Sequence, residues 1–348
     1  MYRTKKMRCI LIKTSIIALM ILIFSQVGFS QSLPQLSGLA FGDYYYNVKN
    51  HSAASKDMQA FDYRRIFITV DDSLSAGVTG RFRLESDPTT TTLANNRLSV
   101  AVKDAYLNWS KVLCGSDVRF GIQPTPAVES ADAIFGYRSL EKSMEDLHSI
   151  SSTRDLGLAV RSSYSGSMSS VLMVGDNSNN ALWSNRYKRF YGQFSIKPIT
   201  GLVAVASVDY AGAAAEKYLR TGDIIINYST TAYSIGAQAY IQDIDHNAYL
   251  SGKATGGTSE TYGFGVDGWI SIANNLRFVA RYDYWNPNNA YNDVATNPLS
   301  NKWNLVIAGL DYSYSNNIHI MPNVEGVSYG LPGTGSDVTA RVTLYLTF

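Results

Sequence analysis

The chain has 348 residues, with 30 Lys+Arg against 28 Asp+Glu, 24 Tyr, 27 Gly and two Cys. So few cysteines exclude a disulfide-stapled scaffold. So even a charge balance excludes a strongly basic nucleic-acid binder.

Residues 1–30 read as a cleaved secretory signal. Arg3, Lys5, Lys6 and Arg8 form a basic head, and an apolar run follows from Ile16 to Phe24. Gly28 and Ser30 are the small residues a signal peptidase needs before Gln31. The run is too short to span a bilayer comfortably. With Lys13, the leader carries five basic residues and no acid, leaving 25 Lys+Arg against 28 Asp+Glu in a mildly acidic mature chain. Cys9 departs with the leader and Cys114 stands alone, so no disulfide is expected. No mature segment approaches 18 consecutive apolar residues, so no transmembrane helix is available.

Side-chain alternation runs the length of residues 31–348, which read as a single domain. In "GVTGRFRLES", Val78, Gly80, Phe82 and Leu84 oppose Thr79, Arg81, Arg83 and Glu85. In "DVTARVTLYLTF", Val338, Ala340, Val342, Leu344, Leu346 and Phe348 oppose Thr339, Arg341, Thr343, Tyr345 and Thr347. A period of two means strands with one apolar and one wet face. About sixteen such segments follow, near 36–48, 60–70, 76–86, 100–110, 117–123, 156–164, 169–175, 189–197, 202–211, 223–229, 233–242, 261–271, 276–285, 303–314, 318–326 and 337–348.

The connections alternate between long and short. Residues 49–59, 87–99, 124–155, 176–188, 212–222, 243–260, 286–302 and 327–336 are long; 71–75, 111–116, 165–168, 198–201, 230–232, 272–275 and 315–317 are short. That rhythm predicts an all-β fold: a transmembrane antiparallel β-barrel of the bacterial outer membrane, with short periplasmic turns and long extracellular loops. Closure removes the strand edges that lipid cannot satisfy. Tyr44, Tyr45, Tyr46, Trp109, Phe190, Tyr262, Tyr284, Trp303, Tyr312 and Tyr314 fall near strand ends, where interfacial aromatic girdles sit.

The stretches "FDYRRIFITVDDSLSAGVTGRFRLESD", "VKDAYLNW", "VRFGIQPTP" and "IHIMPNVEG" resemble porins related to the phosphate-selective porins. The resemblance implies a sixteen-stranded, usually trimeric, passive diffusion channel for small hydrophilic solutes. It also implies, together with the length of the connection, that the third long loop, 124–155, folds inward as the constriction. That loop carries Arg138, Glu141, Lys142, Glu145 and Asp146, and its stretch Arg138 to Leu147 reads as a short helix. The terminal Phe348 resembles the signal read by the outer-membrane barrel assembly machinery, with Tyr345 and Tyr329 as lesser candidates. The chain lacks the dense lysine ladder of the phosphate-selective members.

Parity places Arg81, Arg83, Arg119, Arg161, Arg277, Arg281 and Arg341 in the lumen, with Glu85, Asp104, Asp267, Asp283, Asp311 and Glu325. Arg64 and Arg65 are adjacent, so only one is expected to point inward. Arg81, Arg83, Arg119, Arg161 and Arg341 gather into a basic wall, with Glu141, Glu145 and Asp146 facing it. Such a wall predicts a mild anion preference. Its arginines could equally be structural partners of acids.

An enzyme is not expected. His51, His148 and His246 fall in loops and His319 on a strand, and no G-x-S-x-G motif accompanies them. No metal-ligand spacing or phosphate loop appears, so no cofactor is expected; Asp243 and Asp245 in "QDIDHN" read as solvated acids. A closed or plugged barrel serving as a structural or adhesion protein would read much the same in sequence.

Overall fold

A computed structural model describes residues 33–88, 98–181, 186–212, 218–245, 258–287 and 302–348. The expected signal (residues 1–30) and His246 lie outside them. Sixteen antiparallel strands close into one barrel, each paired with its chain neighbours. In order they are β1 Gln35–Lys49, β2 Gln59–Ser75, β3 Val78–Ser86, β4 Ala101–Leu113, β5 Ser116–Pro124, β6 Arg154–Ser165, β7 Met168–Gly175 and β8 Arg189–Ile196. Then come β9 Leu202–Gly212, β10 Tyr218–Ser229, β11 Tyr233–Asp245, β12 Thr258–Ala273, β13 Leu276–Asn286, β14 Trp303–Ser315, β15 Ile318–Tyr329 and β16 Ser336–Thr347. β1 and β16 close the ring, with Leu39 opposite Thr347 and Tyr45 opposite Arg341.

The two-residue period sorts the faces as expected. On β16, Val342 and Leu344 are 45% and 48% exposed while Thr343 between them is fully buried. Leu172, Val208 and Ile235 likewise stand out from the wall, forming the apolar belt of a membrane barrel. Two expected girdle aromatics turn inward instead. Tyr45 pairs with the inward Arg341, and Trp303 packs against a buried cluster inside the barrel.

Five of the seven short connections are tighter than the sequence suggests, while 230–232 is as expected and the turn after β8 is one residue longer, 197–201. β2 runs on through "DDSLS" to Ser75, leaving only residues 76–77 to turn. At residues 114–115, Cys114 (φ 49°) and Gly115 (φ 81°) are both left-handed, the conformation whose twist matches a hairpin. The long rim shrinks in three places. β9 and β10 continue until 213–217 alone connect them, β11 and β12 until 246–257 do, and β15 and β16 until 330–335 do.

Two bulges correct the parity. On β2, Arg65 faces Phe41 and Tyr63 faces Gly42, so Arg64 is an extra residue. Both arginines therefore point inward, against the expectation of one. On β4, Asp104 faces Arg83 and Val102 faces Leu84, so Lys103 is extra and both Lys103 and Asp104 are buried in the lumen. A bulge re-aims one side chain and leaves the flanking ladder intact.

Candidate pore constriction

The third long connection enters the barrel. Thr125 precedes helix α1, Pro126–Phe135, with Pro126 at the first position, where a missing N–H costs nothing. Gly136, left-handed at φ 73°, ends α1 and donates its N–H to Asp132 O at 3.1 Å. A four-residue helix α2, Met144–Leu147, follows. Helix over the whole of Arg138 to Leu147 is thus not what forms. α1 was hidden in the sequence by "PTP", which reads as a turn.

Apolar contact holds the loop inside. Phe135, Tyr137 and Leu140 pack against Val279, Leu305, Ile307 and Met321, inward residues of β13, β14 and β15 that are 1–2% exposed. Burying such side chains contributes roughly 1.5–3 kcal/mol each. Wall side chains then satisfy the loop's carbonyls. Arg64 Nη1 donates to Ser139 O and Leu140 O, both at 2.9 Å. Arg281 Nη1 donates to Lys142 O at 2.6 Å, Gln193 Nε2 to Pro126 O at 2.8 Å and Gln242 Nε2 to Ile150 O at 2.6 Å. The Tyr137 hydroxyl donates to Asp311 at 3.0 Å. His148 stacks on Trp285 at 4.5 Å, and burial pushes its pKa down to about 3.

The arginine arc forms, and every member has an acid. Arg81 grips Asp71, its cross-strand neighbour, with two hydrogen bonds at 2.7 and 2.8 Å. Arg83 bonds Thr69 at 2.8 Å and lies 3.3 Å from Asp104, which also holds Arg154. Arg161 reaches Glu129 of α1 at 2.8 Å, and Arg119, stacked over Tyr106, lies 3.8 Å from the same carboxylate. Arg341 pairs with Glu325 at 2.7 and 3.0 Å. Arg65 and Lys103 share Glu85 at 3.2 and 3.0 Å. Away from the arc, Arg281 is clamped on Asp283 and Arg277 stacks over Trp269.

Of the loop acids expected to face this wall, only Glu141 does, 3.6 Å from Arg64 and 4.0 Å from Arg341. Glu145 is fully buried on the opposite wall beside Gln238, and Asp146 is held by Arg138. Glu129 meets the arc instead; its place on an unrecognised helix concealed it. Lys142 lines a cavity of about 190 Å³ on the long-loop side, with Arg64, Arg65 and Arg138. A second cavity of about 400 Å³ on the short-turn side is lined by Arg81, Arg119, Tyr106 and Asp71. Both lie along β1 to β5, the side the loop reaches with polar and charged groups and not with its apolar seam.

Asp311 and Ser313 approach the same ring nitrogen of His319, at 2.7 and 3.3 Å, whereas a nucleophile and its orienting acid must use opposite nitrogens.

Asp104 gives a direct test of the paired wall. It is wholly buried between two arginines. Asp104→Ala leaves both unneutralised and should cost about 3–5 kcal/mol, read as a lower unfolding midpoint of the heat-modifiable band. An unchanged midpoint would mean the pair is solvated.

No family model matches the chain, and no curated protein does. Solved structures do match. An anion-selective porin from Comamonas acidovorans aligns at TM-score 0.62 and 12% identity over 91% of this chain and 99% of that one. OmpF of Salmonella typhi in complex with daunomycin aligns at 0.67 and 13% over 90% and 97%. The outer membrane channel DcaP of Acinetobacter baumannii aligns at 0.66 and 13% over 92% and 99%. Sixteen closed antiparallel strands, an apolar outer belt and an inward third loop, matched nearly end to end by these barrels, make the chain an outer-membrane β-barrel of the porin fold.

Proposed function

We propose that this barrel is a passive diffusion channel for small hydrophilic solutes, entered past Lys142 and left past Arg81. The observation that carries this is the placement of both cavities along β1 to β5, lined by Arg64 and Arg65 at one end and by Arg81 and Arg119 at the other, with the third loop's apolar seam packed against the opposite wall. Kinship with porins related to the phosphate-selective family rests on the short motifs of the sequence. The arginine pairs give no reason to add phosphate specificity.

A mild anion preference belongs to the same reading. Arg119 and Arg161 share one carboxylate, and Arg119 Nε and Nη1 are buried without a hydrogen-bond partner among the described residues. A cation in surplus at a narrow point governs passing ions, because a Debye length of about 8 Å at physiological salt hides charges farther off. Changing Arg81 and Arg83 to Ser should move the reversal potential in a salt gradient toward cations, since Asp71 is left uncovered and Asp104 keeps only Arg154. No shift would mean these pairs lie off the ion path. The expected partners are outer-membrane lipid, the barrel assembly machinery and two further copies of the chain. OmpT, an outer membrane protein of Vibrio cholerae with this fold, has been solved in a trimer form.

One observation favours a second reading. The loop's apolar seam and its many wall contacts would also suit a barrel plugged for a structural role. Conductance separates the two.

A further inference from the structure

Behind the third loop, away from the arginine arc, two carboxyl groups meet. Glu145 of α2 is 0% exposed and Asp223 of β10 is 7% exposed. The Gln238 amide donates to both, to Asp223 Oδ2 at 3.3 Å and to Glu145 Oε1. The other oxygens, Glu145 Oε2 and Asp223 Oδ1, are buried and accept no hydrogen bond among the described residues. An ionised carboxylate is an acceptor only, and two of them buried side by side repel.

No cation compensates. Among the described residues, neither acid has a Lys, Arg or His nitrogen within 4.0 Å. The neighbouring wall adds Tyr240 from β11, which faces both Glu145 and Asp283 of β13, while the loop adds Asp132. Arg138 is spent on Asp132 and Asp146. Arg189 of β8 is spent on Asp209 of β9, and Arg281 of β13 on Asp283 and Lys142 O.

We propose that Glu145 and Asp223 share one proton, and that this proton latches the third loop to the β10–β11 wall. With the proton in place, one carboxyl donates toward the other and Gln238 closes the triangle. Without it, two like charges face each other in a site with no spare cation, and α2 lifts away. Burial, with Asp223 beside it, raises Glu145 well above the usual carboxylate range. The sign follows: a raised pKa gives a contact at full strength in acid that is lost as pH rises through the raised value. Release therefore sits above the ordinary carboxylate range, and the loop is tight in acid and loose in alkali.

The latch is testable whether or not the barrel conducts. Met144, next to Glu145, is 1% exposed. In a Cys114→Ser background, Met144→Cys reports loop release through its rate of labelling by a membrane-impermeant thiol reagent. Each rate is divided by that of the same protein carrying Glu145→Gln at the same pH, which cancels the reagent's own dependence on thiolate. The amide mimics the protonated acid and keeps the latch shut. The expected ratio is near one at pH 5 and about tenfold at pH 9, one pKa unit of differential interaction. Asp223→Asn replaces Glu145→Gln as the reference if the latter does not fold, with the same expectation. A ratio that stays near one from pH 5 to pH 9 overturns the latch. So does faster labelling of the Glu145→Gln protein in acid. If the channel reading also holds, conductance rises with pH in the native chain and stays flat in the Glu145→Gln protein. Failure of conductance with success of labelling would remove the channel and keep the latch.

Discussion

Deleting Ser130 to Leu147 is expected to raise single-channel conductance severalfold and to admit larger solutes. The segment removes most of α1, all of α2 and the side chains Phe135, Tyr137 and Leu140 that fill the lumen. Arg64, Arg281 and Gln238 would lose their loop partners and face open water. Val279, Leu305, Ile307 and Met321 would also become wet, at roughly 25 cal/mol per Å² of apolar surface exposed. The barrel itself should survive, because its strands are hydrogen-bonded to each other around a closed ring whether or not the loop packs inside. Conductance and size limit unchanged from the native chain would place the loop outside the permeation path. Leu140→Asp is the milder form of the same experiment. It puts a carboxylate into the seam and should loosen the loop while leaving its length intact.

Removing Phe348 should sharply lower the folded, heat-modifiable fraction in the outer membrane. The residue closes the ring. Its N–H donates to Gly38 O at 3.1 Å, and Gly38 N–H donates to Phe348 O at 2.8 Å. Its ring lies over Gly38 so closely that a Cβ there would come within 2.0 Å of the ring tip. Two causes can be told apart. If the terminal aromatic is chiefly an address for the assembly machinery, truncated protein folds normally from urea into detergent and fails only in cells. If it chiefly packs the seam, both routes suffer, and Gly38→Val reproduces part of the loss with Phe348 intact. Normal folding of the truncated chain in cells would refute both roles.

The barrel was legible because its signal is repeated. One strand of alternating residues is ambiguous, but sixteen of them punctuated by long and short connections admit few folds. Inward arginines followed from parity alone, since the side-chain period of a strand is fixed. Their partners did not, because register depends on where each turn begins. Arg81 sits opposite Asp71 only because β2 continues to Ser75. Bulges leave no trace in a single sequence, so Arg64 with Arg65 and Lys103 with Asp104 defeated a strict two-residue count. The loop's seat was half visible. In "WNLVIAGL", Leu305 and Ile307 are apolar on the same strand as the apolar outward Val306 and Leu310, which signals a wall covered on both faces. What covers it was not visible, because α1 begins at a proline.

Reconstituting the purified native chain in a planar bilayer tests the central claim most directly. The account predicts discrete, stable current steps, nearly ohmic at low voltage, with a reversal potential in a salt gradient displaced toward the anion. A preparation shown by heat-modifiability to be fully folded and inserted, yet passing no current, would contradict it and make the third loop a plug.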